Sequence, residues 1–309
     1  MLKKKDIVNI GDISNEDIFK VFENASKFKK KLSKEEKIKT MDGKIMATLF
    51  FEPSTRTRLS FESAMHRLGG SVITVSEPKS SSASKGETVA DTIRMASSYS
   101  DIIVMRHPME GAARLASEFS SVPVINGGDG SGQHPTQTLL DLFTIWEKFG
   151  TFNGLHITMA GDLKYGRTVH SLIRALNRFD TTISLVSPES LEMPDHIIST
   201  LKNPEKVIKS KSLDEVLNSS DVFYVTRIQK ERFVDLNDYA KVIGSYSFDI
   251  DTVSAMKETA IILHPLPRVD EISPEVDNDP RATYFKQAEN GVFVRMALID
   301  MILGGEQIV

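Results

Sequence analysis

Apolar residues in this chain follow two alternating rhythms. Short unbroken runs give way to longer stretches in which apolar positions return every three or four residues. The first run, Lys44-Ile-Met-Ala-Thr-Leu-Phe-Phe51, follows a Lys-rich amphipathic segment over about 14–33 and reads as a buried strand. Pro53 and Ser54 then open a helical pattern, with Leu59, Glu62, Met65 and Leu68 at helix spacing and Gly69-Gly70 as a stop. Further short strands are predicted at Ser71–Val75, Asp101–Met105 and Pro123–Ile125, separated by helices over 87–99 and 111–120. A long helix over about 136–149 leads to Gly154, where a second series begins, with strands near 155–160, 182–187, 221–225 and 260–264. Continuous apolar runs are expected of parallel strands covered by helices on both faces. Two successive series predict an α/β protein of two doubly wound domains, each a mainly parallel sheet flanked by helices. The expected domains are 1–135 and 136–290, with the C-terminal segment 291–309, helical to about 305, returning to the first.

Composition narrows the class. The 309 residues suffice for two domains of ~150 residues, each able to bury a core. With 38 basic against 42 acidic side chains the net charge is −4, which provides no basic field for gripping nucleic acid. Seven lysines fall within 27–39, and in a chain of this charge they read as a solvated helix end. There is no cysteine, which excludes disulfides, thiolate nucleophiles and Cys-based metal sites within the chain. No apolar run reaches the ~18 residues of a membrane span, and the lysines after Met1 precede no signal-peptide core. The expected setting is the cytoplasm, with no membrane association.

Four segments carry chemistry. Glu52-Pro-Ser-Thr-Arg-Thr-Arg58 lies at a strand-to-helix junction, where unpaired N–H groups and the positive end of the helix dipole favour an anion. Hydroxyls interleaved with arginines there exceed what a cap by Ser54 or Thr55 requires, and they suit a phosphate without the glycines of a P-loop. Asn126-Gly-Gly-Asp-Gly-Ser-Gly-Gln133 then precedes His134-Pro-Thr-Gln137; His134 and Gln137, one turn apart, can face one ligand. His134 there is either a hydrogen-bond donor to a carbonyl or a general acid–base; a structural histidine in a capping loop is the plainer alternative. Gly161-Asp-Leu-Lys-Tyr-Gly-Arg-Thr168 has Walker A spacing, but Arg167 stands where the lysine belongs. Its glycines also suit plain tight strand–helix packing, and Arg167 at a helix start can clamp a carboxylate. Arg227 and Gln229, in Thr226-Arg-Ile-Gln-Lys-Glu-Arg232, alternate after a strand, though by itself this segment reads as a polar surface loop; His264-Pro-Leu-Pro-Arg268 follows another strand, its prolines leaving carbonyls free of ladder bonds.

Together, in this order, these stretches resemble the carbamoyltransferases, over about Gly43 to Arg295. The resemblance implies carbamoyl transfer from carbamoyl phosphate to the α-amine of L-aspartate, giving N-carbamoyl-L-aspartate and phosphate on the way to pyrimidines. It implies that Ser54, Thr55, Arg56 and Thr57 hold the phosphate. Thr57, Arg106 and His134 would surround the carbamoyl oxygen, while Gln137 and the carbonyls of Leu266 and Pro267 take the carbamoyl nitrogen. Arg167 and Arg227, with Gln229, would grip the aspartate carboxylates. Glu52, Arg167 and Arg232 match positions linked to domain closure, against which stands an ordinary surface ion pair worth ~0–1 kcal/mol. The Ser-rich segment Glu77–Thr88, a linker by composition, matches a loop that enters a neighbouring subunit's site, with Ser81 and Lys85 as its functional residues and Ser84 where some members carry a second lysine. A homotrimer with shared sites follows from it. No cofactor, metal or covalent intermediate is implied; some relatives pair with a separate zinc-bearing regulatory chain, and no such domain is recognisable here.

An ornithine acceptor is the nearest rival. That branch carries Cys at the position of Pro265 and a Ser-Met-Gly motif, whereas two arginines suit a dicarboxylate. A nucleotide switch built on Gly161–Thr168 lacks its lysine. A catalytically silent scaffold is disfavoured because every expected site residue is present.

Overall fold

Each strand–helix unit is built alike: a β-branched or apolar run pairs in parallel, and a helix returns the chain. The computed structural model describes residues 2, 5–75, 86–130, 132–210, 212–228, 235, 242 and 246–304. It divides into two compact units, Met1–Phe143 with Glu289–Val309, and Thr144–Ala288.

In the first unit, helix α1 (Asn15–Ser33) starts at Ser14, whose side chain accepts the Asp17 N–H, and it buries Ile18, Val21, Phe22, Ala25 and Phe28. Strands β1 (Ile45–Phe50), β2 (Ser71–Val75), β3 (Ile102–His107) and β4 (Val124–Asp129) alternate with α2 (Thr55–Arg67), α3 (Val89–Tyr99) and α4 (Ala112–Phe119). The sheet is parallel in the order β2-β1-β3-β4. The boundary between units lies inside α5 (Pro135–Phe149), after Phe143 instead of after 135, because Phe143 packs on Phe22 of α1, ring centroids 5.6 Å apart.

The second unit strings β5 (His156–Ala160), α6 (Arg167–Leu176), β6 (Thr182–Val186), α7 (Asp195–Ile198), β7 (Val207–Ser210), β8 (Val222–Val225), α8 (Ile250–Ser254) and β9 (Ile261–Leu263) into a parallel sheet ordered β7-β6-β5-β8-β9. Its core gathers Phe223, Val225, Ile262 and Tyr284, with Phe248 edge-on to Phe223. Helix α9 (Tyr284–Leu303) begins in this unit and from Glu289 belongs to the first. No helix among the described residues is long and apolar enough to cross a membrane.

The two doubly wound parallel sheets are the architecture the alternation predicts, with three local departures. Strand β7 was not foreseen: it is a four-residue edge strand whose Ile208 and Lys209 are exposed, so it lacks the apolar run of its neighbours. Strand β4 continues through Asp129 instead of ending at Ile125. Asn126, buried, donates to the carbonyl of Val8 and to Asp129 and accepts from Gly128 N–H, so polar residues pair where a loop was expected. Helix α9 starts at Tyr284 and not at 291. Asn290-Gly291 looks like a helix break, yet a Cβ on Gly291 would sit 2.5 Å from Arg295 Nη1 and 3.1 Å from Leu140 Cδ2, so the glycine makes room inside a helix.

In both sheets the winding reverses beside the first strand of the unit, between β1 and β3 and between β5 and β8. Loops at the carboxyl ends of such strand pairs part to opposite faces and leave a crevice for ligands. Phe50 is in register with Arg106, and Ala160 with Val225. The chemistry-bearing segments follow directly from these strand ends.

Candidate active site

In the first unit, α2 opens with no acidic residue in its first turn, and the side chain of its N-cap Ser54 makes no capping bond. The expected alternative, a simple Ser54 cap, is therefore not what this junction does. Thr55 and Arg56 are exposed, Thr57 is buried, and Arg58 sits 3.7 Å from Glu62. Arg106, next to last in β3, is 8% exposed; its Nη2 donates to the Glu52 carboxylate and its Nη1 to the Gly127 carbonyl at 3.2 Å. Glu52, expected to act in domain closure, thus pairs with an arginine of its own unit.

His134 is buried at 4% exposure just before α5, and its carbonyl accepts the N–H of Gln137 (3.0 Å) and of Thr138 (3.1 Å). Pro135 fills the first helical position, where a missing N–H costs nothing. Gln137 Nε2 donates to Asp141 Oδ1 at 2.9 Å; since a carboxylate only accepts, the amide is oriented, with its oxygen as the end that can accept.

Residues that sequence reasoning missed hold these two helix starts. Asp129 accepts from Gly111 N–H (2.9 Å), Gln133 N–H (3.0 Å) and Asn126 Nδ2 (2.9 Å), and so winds the glycine-rich segment leading to His134. Arg295 of α9 donates to Ser60 Oγ at 2.8 Å, lies 3.5 Å from Thr136 Oγ1 and stacks 4.9 Å from the Phe61 ring, bracing α2 against α5. Burial brings its pKa down to about 10, opposed by the charge of Asp141, so it stays a cation at neutral pH. The interleaved Asp-Gly spacing was a signal for the first; nothing local marks Arg295. Nearby His107, on the same strand as Arg106, is pushed below its ordinary pKa by burial, against the charges of Asp129 and Glu52.

In the second unit, Gly161 follows β5 at φ +110°, and a Cβ there would lie 2.1 Å from the Thr226 carbonyl oxygen. Asp162, fully buried, takes the N–H groups of Lys164 (3.2 Å) and Tyr165 (2.9 Å) and turns the chain into α6. The glycines of this segment thus serve close packing, and Arg167 opens α6, which has no capping side chain and no acid in its first turn. Arg227 follows β8, half-buried like Arg167, at the same sheet edge. After β9, Leu266 adopts φ +54° and the Leu266–Pro267 bond is cis. Ser81, Lys85, Gln229 and Arg232 lie outside the described residues.

Two family models cover the chain. The one described as aspartate/ornithine carbamoyltransferase, carbamoyl-P binding domain, matches residues 5–147, and the Asp/Orn binding domain of the same family matches 153–302. The aspartate carbamoyltransferase catalytic subunit of Thermoplasma volcanium is 62% identical over 98% of this chain and 100% of its own length. Among solved structures, the catalytic subunit of Methanocaldococcus jannaschii aspartate transcarbamoylase superposes with a TM-score of 0.90 at 52% identity, covering 97% of this chain and 98% of that one. Aspartate transcarbamoylase from Trypanosoma cruzi, in complex with carbamoyl phosphate and aspartate, superposes with a TM-score of 0.93 at 43% identity, covering 98% of both chains. Likeness of this extent, reaching through both units, leaves one assignment: the chain belongs to the aspartate/ornithine carbamoyltransferase family.

Proposed function

We propose that this chain transfers the carbamoyl group of carbamoyl phosphate to the α-amine of L-aspartate, giving N-carbamoyl-L-aspartate and phosphate. Relatives 53–62% identical over nearly the whole chain are named aspartate carbamoyltransferase catalytic subunits. The observation that carries the choice of acceptor is Arg167 and Arg227 at the carboxyl edge of one sheet, beside the reversal between β5 and β8. Two guanidinium groups match two carboxylates, and they repel the side-chain ammonium of ornithine.

In this reading Ser54, Thr55, Arg56 and Thr57 hold the phosphate at the start of α2. The amine attacks the carbonyl carbon, the C–N bond forms as the C–O bond breaks, and the departing phosphate keeps that bond's electron pair and takes up the amine proton. Negative charge grows on the carbamoyl oxygen, where Thr57, Arg106 and His134 supply preorganised donors. Gln137 with the Leu266 and Pro267 carbonyls orients the carbamoyl NH2, and Gln229 assists at the aspartate. Orientation of the two reactants accounts for much of the remaining acceleration. The reaction takes place in the cytoplasm, at the committed step toward pyrimidines.

A carbamoyl-transfer assay offering aspartate and ornithine separately tests the acceptor. Carbamoyl-aspartate alone is expected; carbamoylation of ornithine overturns the assignment while leaving the phosphate site standing.

The reading also has three chains share their sites through Lys85. Lys85→Ala and Arg56→Ala chains, each inactive alone, are expected to regain part of the activity when mixed, because a mixed trimer can assemble one intact site from two different chains. Mixtures no more active than their parents rule out sharing.

A further inference from the structure

The segment after β9 contains the pair of carbonyls assigned to the carbamoyl NH2; Arg268, just beyond it, is tied to Asp277 and donates to Tyr284 Oη at 2.9 Å. Pro265 and Pro267 have no N–H, so the backbone offers few donors to anchor it. Leu266 stands at φ +54°, a region costly for a side chain bearing a Cβ, and it must be held there by its surroundings.

Two buried side chains hold the backbone on either side of Leu266. His264 is 2% exposed and Glu271 6%. The Leu266 N–H donates to His264 Nδ1 at 2.8 Å, so that nitrogen is unprotonated and the ring proton is on Nε2. Nε2 lies 2.6 Å from Glu271 Oε1 and donates to it. The second carboxylate oxygen accepts the N–H of Val269 at 3.1 Å and of Asp270 at 3.2 Å. With a proton from Nε2 on one oxygen and two backbone N–H groups on the other, the carboxylate serves as an acceptor on both sides. The backbone of His264 is itself tied to α9 through its N–H to Gln287 Oε1 at 2.8 Å. One imidazole and one carboxylate thereby fasten the chain on both sides of Leu266-Pro267.

We infer that His264 and Glu271 are a positioning pair that sets the Leu266 and Pro267 carbonyls for the carbamoyl NH2, and so gives the enzyme its preference for a carbamoyl over an acyl phosphate. The inference rests on the reading above, in which those carbonyls accept from the substrate. It concerns the nitrogen end of the donor substrate and not the phosphate, which is assigned to the start of α2.

Three ligands separate these ends: carbamoyl phosphate, acetyl phosphate with a methyl group in place of NH2, and inorganic phosphate. Binding of each is measured to the full chain. The wild type is expected to prefer carbamoyl phosphate to acetyl phosphate. His264→Gln keeps a donor toward Glu271 but removes the acceptor for Leu266; it is expected to weaken carbamoyl phosphate about 10-fold, the worth of roughly one hydrogen bond, with the other two ligands changed less than about twofold. His264→Asn, whose Oδ1 falls near the Nδ1 position, is expected to restore most of the preference. Should His264→Gln fail to fold, Glu271→Gln, which puts an NH2 against one of the groups the carboxylate now accepts from, is expected to lose the preference instead. Equal weakening of all three ligands, or a preference kept in folded His264→Gln or Glu271→Gln, overturns the positioning role. A wild type that does not distinguish the two acyl phosphates removes the carbonyl acceptors themselves, and the inference with them.

Discussion

Arg106→Leu is expected to lower kcat/KM for carbamoyl transfer by about 10²–10³-fold, the usual effect of deleting one donor to a developing oxyanion. The guanidinium is placed by three independent constraints. Strand register sets Arg106 opposite Phe50 of β1, the Phe51 N–H donates to its carbonyl at 2.8 Å, and its side chain is spanned between Glu52 and the Gly127 carbonyl. Leucine removes the donor and leaves Glu52 half-buried with its arginine gone, so stability should fall by about 1–3 kcal/mol as well. Steady-state kinetics and urea unfolding on the same variant separate the two effects. Arg106→Lys keeps the charge without the planar fork and should recover only a small part of the rate. If Arg106→Leu stays within about threefold of wild type, far below the loss of an oxyanion donor, the arginine does not meet the carbamoyl oxygen.

The second large effect is on folding. Gly161→Ala should destabilise the protein by about 3–5 kcal/mol, seen as a lower urea midpoint, because two penalties coincide at this residue. The backbone is at φ +110°, and the new methyl would stand 2.1 Å from the Thr226 carbonyl carbon's oxygen, a backbone atom that cannot swing aside. Thr226 N–H is bonded to the Ala160 carbonyl at 2.9 Å, so any relief pries β8 from β5 at the very edge where Arg167 and Arg227 begin. Gly43→Ala is the control: its φ is +73° but nothing lies within 4 Å of the added carbon. It should cost only ~1–2 kcal/mol, the strain of the left-handed region alone. Equal losses in the two variants would mean that the contact with Thr226 carries no weight.

Both predictions turn on residues whose type was visible in the sequence and whose surroundings were not. The start of α2 was legible because a strand-to-helix junction is local: Ser54, Thr55, Arg56 and Thr57 are neighbours in the chain and stand together at the start of the helix. The alternation of apolar runs and helical periods was enough for two parallel sheets, since burial on both faces requires uninterrupted apolar strands. Where that requirement lapses the pattern falls silent, as at the exposed edge strand β7, and where polar groups satisfy one another inside the sheet it misleads, as at Asn126 and Asp129 in β4.

Sequence alone therefore determined the class of fold and the alternation of most of its strands and helices, because each of these depends on interactions within a few residues. Tertiary structure decided the partnerships. Glu52 with Arg106, Arg295 between α2 and α5, and His264 with Glu271 join residues from separate elements or across a turn. No periodicity encodes such pairs, since they come together only once the strands are in register and the helices have been packed against them.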